Sequence, residues 1–103
     1  KEVREAICEF ASRAAAKLRN ERQMARMVQV FIRTSPFDKH SPYYGNSAIG
    51  TLEQASSDTR DILALVTRLF DMIWKEGHRY AKAGIMLGDF CFLDCVQLSL
   101  FNS

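Results

Sequence analysis

Hydrophobic residues near the start of the chain recur at intervals of three or four positions. They are Val3, Ala6, Ile7, Phe10, Ala14 and Leu18. Because an α-helix completes a turn in about 3.6 residues, this spacing places them along one side of a helix, opposite charged side chains. We predict an amphipathic helix from residue 2 to about residue 20, ending at Asn20, a residue type that tolerates the left-handed conformation of many helix ends.

The hydrophobic spacing changes to every second residue between Met24 and Thr34, which predicts a β-strand with two different faces. The β-branched side chains that favour the core are Val28, Val30 and Ile32. The side chains left on the outer face are Gln29, Phe31 and Arg33. An outward Phe31 is either part of a contact surface or packed beneath a neighbouring loop, and alternation alone does not decide between the two.

Two further segments alternate in the same way. The first runs from Ser47 to Gln54, with Gly50 as a weak point, and should pair as a short antiparallel strand. The second runs from Lys82 to Phe90. Its apolar face carries Ala83, Ile85 and Leu87, and its other face carries Lys82, Gly84, Met86 and Gly88. Glycine inside a strand often marks the close approach of a backbone or ligand, so we expect a large molecule to lie across this nearly bare face.

A second helix is predicted between these two strands. Asp58 stands where an N-cap residue belongs, and Asp61 adds a carboxylate in the first turn, where the helix dipole favours negative charge. The apolar stripe of this helix is Ile62, Leu65, Val66, Leu69 and Ile73. Gly77 is expected to end it. Residues 35 to 46 hold both prolines and form a long connection of the kind that is often functional.

The element order is therefore helix, strand, strand, helix, strand. Packing both helices on one face of an antiparallel sheet buries both apolar stripes, which predicts an α+β fold. This order corresponds to a βαββαβ unit whose first strand is missing from the fragment. The opposite face of the sheet stays uncovered, and we expect the function to reside there.

Composition adds limits to this picture. A chain of 103 residues, 48% hydrophobic and 25% charged, suits one folded domain. The net charge of +2 is small, and no basic stripe of the kind that binds phosphates stands out. The sequence has neither an apolar run of about 18 residues nor a signal peptide, so we expect a cytoplasmic protein with no membrane partner. Because a helical pattern is already under way at Lys1, we expect a longer parent protein.

The acidic and histidine residues do not form a catalytic arrangement. Asp58 and Asp61 are explained by the start of a helix. His40 and His78 have no Cys or Ser at a spacing that suggests a nucleophile and its base. A phosphate-binding glycine loop is also missing from the sequence. We therefore expect the fragment itself to be non-catalytic and to need no cofactor.

The cysteines, Cys8, Cys91 and Cys95, are an odd number at spacings that make a poor disulfide framework, which fits a reducing compartment. We interpret them as packing residues. Cys91 and Cys95 are four positions apart and lack a third metal ligand nearby. A small redox or metal enzyme using these two thiols is an alternative, which predicts bound metal.

Six short segments spread over nearly the whole chain form a distinctive combination. They are Thr34–Phe37, Pro42–Ser47, Arg60–Ile62, Ile73–Trp74, Gly77–Tyr80 and Lys82–Phe90. Together and in this order they resemble the C-terminal region of UmuC-type proteins, the catalytic subunits of bacterial polymerase V and its plasmid-borne ImpB/MucB/SamB relatives. In that family the region is the little finger domain of a Y-family translesion DNA polymerase, which acts in SOS mutagenesis and DNA repair.

The resemblance implies a four-stranded sheet backed by two helices, with the open sheet face lying along the major groove of template-primer DNA. Contacts of this kind go mostly to phosphates, which fix position without reading sequence. The family's first strand is not in the fragment, so one sheet edge should be exposed. The catalytic palm is also absent from it, and the Mg²⁺ of the parent polymerase would be held there.

Carried onto this sequence, the resemblance implies a set of DNA-binding residues on the outward strand positions and the adjoining loops. They are Gln29, Phe31, Arg33, Ser35, Lys39, Tyr44, Asn46, Ser47, Thr51, Lys82, Gly84 and Met86. The glycines are expected to let a phosphate chain come close, while Arg33 and Lys82 supply positive charge. The alternative is that Arg33 and Lys82 are simply solvated.

The last residues of the chain carry a second resemblance. Gln97, Leu98, Ser99, Leu100 and Phe101 resemble the pentapeptide by which bacterial polymerases bind the β sliding clamp. Leu100 and Phe101 would be the apolar anchors, each worth about 1.5–3 kcal/mol if fully buried. The same segment also reads as an edge strand. We assign residues 1–92 to the little finger domain and 93–103 to a clamp-binding tail.

These expectations combine into a non-catalytic, DNA-binding domain of an error-prone polymerase. The alternative is a protein-interaction module of the same system without direct DNA binding. Its open sheet face would then receive a UmuD′-like dimer or a recombinase filament.

Overall fold

The computed structural model describes residues 2–35 and 43–92. The elements, in chain order, are α1 (Glu2–Asn20), β1 (Gln23–Thr34), β2 (Gly45–Ser56), α2 (Thr59–Ile73), β3 (Tyr80–Gly88) and β4 (Cys91–Phe92). The predicted α+β class is confirmed, since two helices pack on one side of an antiparallel sheet and leave its other side open. The predicted first helix and the predicted strands each lie within a few residues of the observed elements.

Strand β1 is the centre of the sheet, with β2 on one side and β3 on the other, both antiparallel to it. The short strand β4 pairs with the start of β1, Met24 opposite Cys91. The last β3 pair is Met27 opposite Gly88, so β4 continues β3 in the same register. A kink separates them at Asp89, whose φ is 54°.

The core lies between the helices and the inner face of the sheet. Val28, Val30 and Ile32 are at most 1% exposed, which confirms that the β-branched face of β1 points inward. The fully buried residues of α1 are Ile7, Ala11, Ala15 and Leu18. Its predicted stripe is therefore only partly right, because Phe10 is 36% exposed and small alanines bring the helix close to its neighbours.

Helix α2 begins as predicted. The carboxylate of Asp58 accepts a hydrogen bond from the Arg60 backbone N–H at 2.8 Å, and it also contacts the Arg60 guanidinium. The hydrogen bond from the Arg60 side chain, then that from its backbone N–H, lowers the pKa of Asp58 below its ordinary value of 3.8. The N-cap is therefore charged at neutral pH, where it satisfies a free N–H of the first helical turn.

The other end of α2 differs from the prediction. The helix ends at Ile73, Trp74 already has an extended backbone, and Gly77 lies in a later turn with φ of 90°. The prediction that Gly77 caps this helix is wrong, because the helix ends four residues earlier, where the Tyr44 hydroxyl from a distant segment bonds its last carbonyl. The Tyr44 hydroxyl donates to Ile73 O at 2.6 Å. Just beyond the helix, the Tyr80 hydroxyl accepts from the Lys75 N–H and donates to Lys75 O.

Gly50 is the point where α2 packs most closely on β2. A Cβ atom built on Gly50 would lie 3.0 Å from Leu65 Cδ1 and 3.2 Å from Leu69 Cδ2. Both leucines belong to the buried core. The missing side chain therefore leaves room for the helix, and the predicted weak point of the strand is a packing contact.

We expect the substitution Gly50→Val to destabilise the protein by about 1–3 kcal/mol, because the added methyl groups overpack the contact with Leu65 and Leu69. Urea unfolding measures the change in the free energy of unfolding. The matched control is Thr51→Val, at the next position of the same strand but on the exposed face, and it should change stability by less than about 0.5 kcal/mol. Equal stability of the two variants would contradict the close packing of α2 on β2.

Candidate nucleic-acid interface

The side of the sheet that faces away from both helices is uncovered, and we call it the open face. It consists of the outward side chains of β1, β2 and β3, which are Met27, Gln29, Phe31 and Arg33, then Ser47, Ile49 and Thr51, then Lys82, Gly84, Met86 and Gly88. Ile49 is 60% exposed and Met86 is 55% exposed. The face is therefore accessible to a large partner.

Strand register arranges the open face in rows that cross all three strands. From β2 through β1 to β3, the rows are Ile49–Gln29–Met86, Ser47–Phe31–Gly84 and Gly45–Arg33–Lys82. Most of the residues that the sequence assigned to DNA binding thus share one surface. They are Gln29, Phe31, Arg33, Ser47, Thr51, Lys82, Gly84 and Met86.

Two cations stand side by side in the last of these rows. Arg33 and Lys82 are direct cross-strand partners, and both are exposed. Like charges in this arrangement repel each other. Among the described residues the ion pairs lie elsewhere, so no described carboxylate neutralises either cation. This basic end, defined as Arg33 and Lys82, is the part of the open face that is best suited to an anion.

The rest of the open face has a different character. Ile49 and Met86 flank Gln29 in the middle row, and Met27 and Phe31 lie on either side of it along β1. The centre of the face is therefore mostly apolar. Positive charge is concentrated at one end of the face and does not run along the strands.

The outward glycines of β3 have a structural explanation. A Cβ atom on Gly84 would lie 2.7 Å from Phe31 Cζ, and one on Gly88 would lie 2.5 Å from Met27 Cε. Side chains of β1 thus occupy the space where side chains at these two positions would lie. An aromatic side chain that lies over a glycine of the neighbouring strand is a known means of stabilising a sheet at that glycine. Phe31 is half-buried over Gly84, on the open face itself.

Tyr44 and Asn46, predicted to contact DNA, lie on the helix side of the sheet. The Tyr44 ring stacks on His78 at a centroid distance of 4.8 Å, and its hydroxyl is bonded to Ile73 O. The Asn46 amide donates to the Tyr44 hydroxyl at 3.3 Å. The physical reason is strand alternation: Asn46 pairs with the inward-facing Ile32, so Asn46 and Tyr44, two residues earlier, lie on the side opposite Ser47. Their contacts are structural.

The remaining predicted residues are only partly described. Ser35 is half-buried just beyond the end of β1. Lys39, Cys95 and the proposed clamp-binding segment Gln97–Phe101 lie outside the described residues.

Tyr43 is a candidate residue that the sequence analysis missed. It is 58% exposed, and its hydroxyl end lies above Gly45, where a Cβ atom would be 2.9 Å from Tyr43 Oη. A shallow concavity of about 420 Å³ is lined here by Tyr43, Phe31, Arg33 and Ser47, among others. The signal was present, because Tyr43, Gly45 and Ser47 share one face when the alternation is extended back from Ser47 by two steps of two residues.

The described residues contain neither a cluster of metal ligands nor a membrane-spanning helix. Among residues 2–35 and 43–92, no three His, Cys, Asp or Glu side chains come together as metal ligands. Within the same ranges, neither helix has the length and apolar composition needed to cross a bilayer.

Comparison with known proteins places this geometry in a family. Residues 1–100 match the model of the impB/mucB/samB family C-terminal domain. The chain is 53% identical to the protein SamB of Salmonella typhimurium over 97% of its length and 50% identical to the protein UmuC of the same species over 98%. It is 46% identical to the protein MucB of Escherichia coli over 99% of its length. In each case the chain spans about a quarter, 24%, of the relative. The chain therefore belongs to the impB/mucB/samB family and corresponds to its C-terminal domain.

Proposed function

We propose that this chain is the non-catalytic, DNA-binding little finger domain of a UmuC-like, Y-family translesion DNA polymerase. Membership in the impB/mucB/samB family supports the polymerase parent, and catalysis with Mg²⁺ would reside in the part of that parent that this chain does not span. The observation that carries the DNA contact is the basic end. Arg33 and Lys82 stand unneutralised by described carboxylates on a sheet face that neither helix covers.

The chemistry of the open face suits the sugar-phosphate backbone of template-primer DNA. Arg33 and Lys82 provide charge-assisted hydrogen bonds to phosphate oxygens. The exposed hydroxyls of Ser47 and Thr51 and the amide of Gln29 add neutral hydrogen bonds of the kind that commonly contact phosphate and sugar. None of these groups needs to read a base, which suits an enzyme that must copy damaged templates.

A second candidate function follows from the apolar centre of the open face. Soluble proteins rarely expose large contiguous apolar patches unless a partner covers them. Ile49 and Met86 are more than half exposed on either side of Gln29. A protein partner such as a UmuD′-like dimer or a recombinase filament would bury them, and DNA contact would then be restricted to the basic end or absent.

We expect Arg33→Gln combined with Lys82→Gln to weaken binding to a template-primer duplex. Removing two phosphate contacts should also lower the slope of log K against log salt concentration by about 2. Fluorescence anisotropy of a labelled duplex across a salt series measures both quantities. Unchanged affinity and an unchanged slope would contradict DNA binding through the basic end.

A matched control separates the DNA contact from folding. Tyr44→Phe removes the hydrogen bond to Ile73 O, so it should cost about 0.5–1.5 kcal/mol of stability and leave duplex affinity unchanged.

A second variant, Ile49→Ser with Met86→Ser, tests the protein-partner candidate. Loss of partner binding in this variant, with no duplex binding by the parent chain, would favour the protein-interaction function.

We also propose that the C-terminal segment Gln97–Phe101 binds the β sliding clamp, with Leu100 and Phe101 as its apolar anchors.

We expect Leu100→Ala and Phe101→Ala each to weaken binding to immobilised clamp by at least about tenfold, because each removes an anchor side chain. Surface plasmon resonance measures this, with Asn102→Ala as the control outside the pentapeptide. Clamp binding that survives the double alanine substitution would rule out this segment as the contact, whatever the duplex affinity.

A further inference from the structure

The concavity beside Gly45 combines groups that differ from those of the rest of the open face. Gly45 is one of its lining residues, and a Cβ atom there would lie 2.9 Å from Tyr43 Oη and 3.4 Å from Arg33 Cβ. The Phe31 ring and Ser47 contribute further parts of the lining. An exposed aromatic ring, a cation and a hydroxyl residue thus meet within one shallow surface at the β2 edge of the sheet.

The side chains of Tyr43 and Arg33 make no polar contact within the described part of the domain, although the Arg33 backbone belongs to the central strand. Among the described residues, the Tyr43 hydroxyl and the Arg33 guanidinium make no hydrogen bond or ion pair. Tyr44, the adjacent aromatic residue, shows the contrast, since its hydroxyl and ring are both used inside the domain. A large aromatic side chain left in solvent next to an uncompensated cation is available for a ligand.

We propose that this concavity binds one unpaired nucleotide of DNA, with the base stacked on Tyr43 and its phosphate at Arg33. Aromatic platforms next to basic groups are the usual means of holding single-stranded nucleic acid, because every base presents a flat face for stacking. A paired base inside a duplex has both faces covered by its neighbours and offers none to Tyr43. The inference rests on the proposed function and deepens it, since a template-primer junction presents duplex and unpaired template together.

Position on the sheet supports this assignment. Arg33 belongs both to the basic end and to the concavity, so one strand can pass from one to the other without leaving the surface. Lys82 lies on the β3 side of Arg33, and Tyr43 lies over Gly45 on the β2 side. The duplex is therefore expected near Lys82, and the first unpaired nucleotide near Tyr43.

The test compares three ligands at one salt concentration: a blunt duplex, the same duplex with a short 5′ template overhang, and the single-stranded oligomer alone. With the 103-residue chain, we expect the overhang to increase affinity by about tenfold, the size of one stacked base. Tyr43→Ala should remove that increase and leave blunt-duplex affinity unchanged, whereas Tyr43→Phe should keep it. A 2-aminopurine base at the first overhang position should lose fluorescence on binding wild type and not on binding Tyr43→Ala.

Two further variants make the result specific. Gly45→Val keeps Tyr43 but displaces the hydroxyl end of its ring, because a Cβ atom at Gly45 already meets Tyr43 Oη at 2.9 Å, so it should reduce the overhang increase. Met72→Ala, an exposed position on α2 away from the sheet, is the matched control and should change nothing. Thermal unfolding of each variant verifies that it is folded.

The outcomes separate this inference from the proposed function. An overhang that adds no affinity in wild type, or an increase that survives Tyr43→Ala, would overturn the nucleotide site while duplex binding stands. If the blunt duplex fails to bind but the single-stranded oligomer binds in a Tyr43-dependent manner, the nucleotide site stands and the duplex contact fails.

Discussion

The asymmetric burial of strand β1 is the constraint on which the rest of the structure depends. One face of this strand, Val28, Val30 and Ile32, is almost completely buried against the two helices. A register shift of a single residue would expose these side chains and bury Arg33. The hydrophobic effect therefore fixes the register in which β1 pairs with its neighbouring strands. The open face is a consequence, because the residues that are left for a partner are those that the core does not take.

Alternation along a strand was predictable from the sequence wherever its β-branched and apolar residues were distinct, as in β1 and β3. The predicted end of helix α2 was wrong, because a contact between segments distant in the sequence determines where that helix ends. The Tyr44 hydroxyl bonds the last carbonyl of helix α2, and nothing in the spacing of Gly77 reveals this. Tyr44 lies on the helix side of the sheet because of the register in which β2 pairs with β1.

Side-chain chemistry divides the open face into parts. Phe31 and Met27 lie over the glycines of β3 and give the centre an apolar surface. Charge is confined to Arg33 and Lys82, and the exposed ring of Tyr43 lies on the other side of Arg33. The sequence analysis identified most members of this surface, though not Tyr43, and it did not predict their arrangement, because a glycine facing a long side chain and a glycine facing a ligand have the same pattern. Only the cross-strand pairs distinguish them.

The central claim is that the surface opposite the helices is the one that meets DNA. The most direct measurement is a heteronuclear NMR titration of the ¹⁵N-labelled chain with template-primer duplex, which reports on every backbone amide at once. The account predicts chemical-shift changes on the strands, largest around Arg33 and Lys82, and little change on the solvent side of α2 around Met72. Changes concentrated on the helices, with the amides of the open face unaffected, would contradict it.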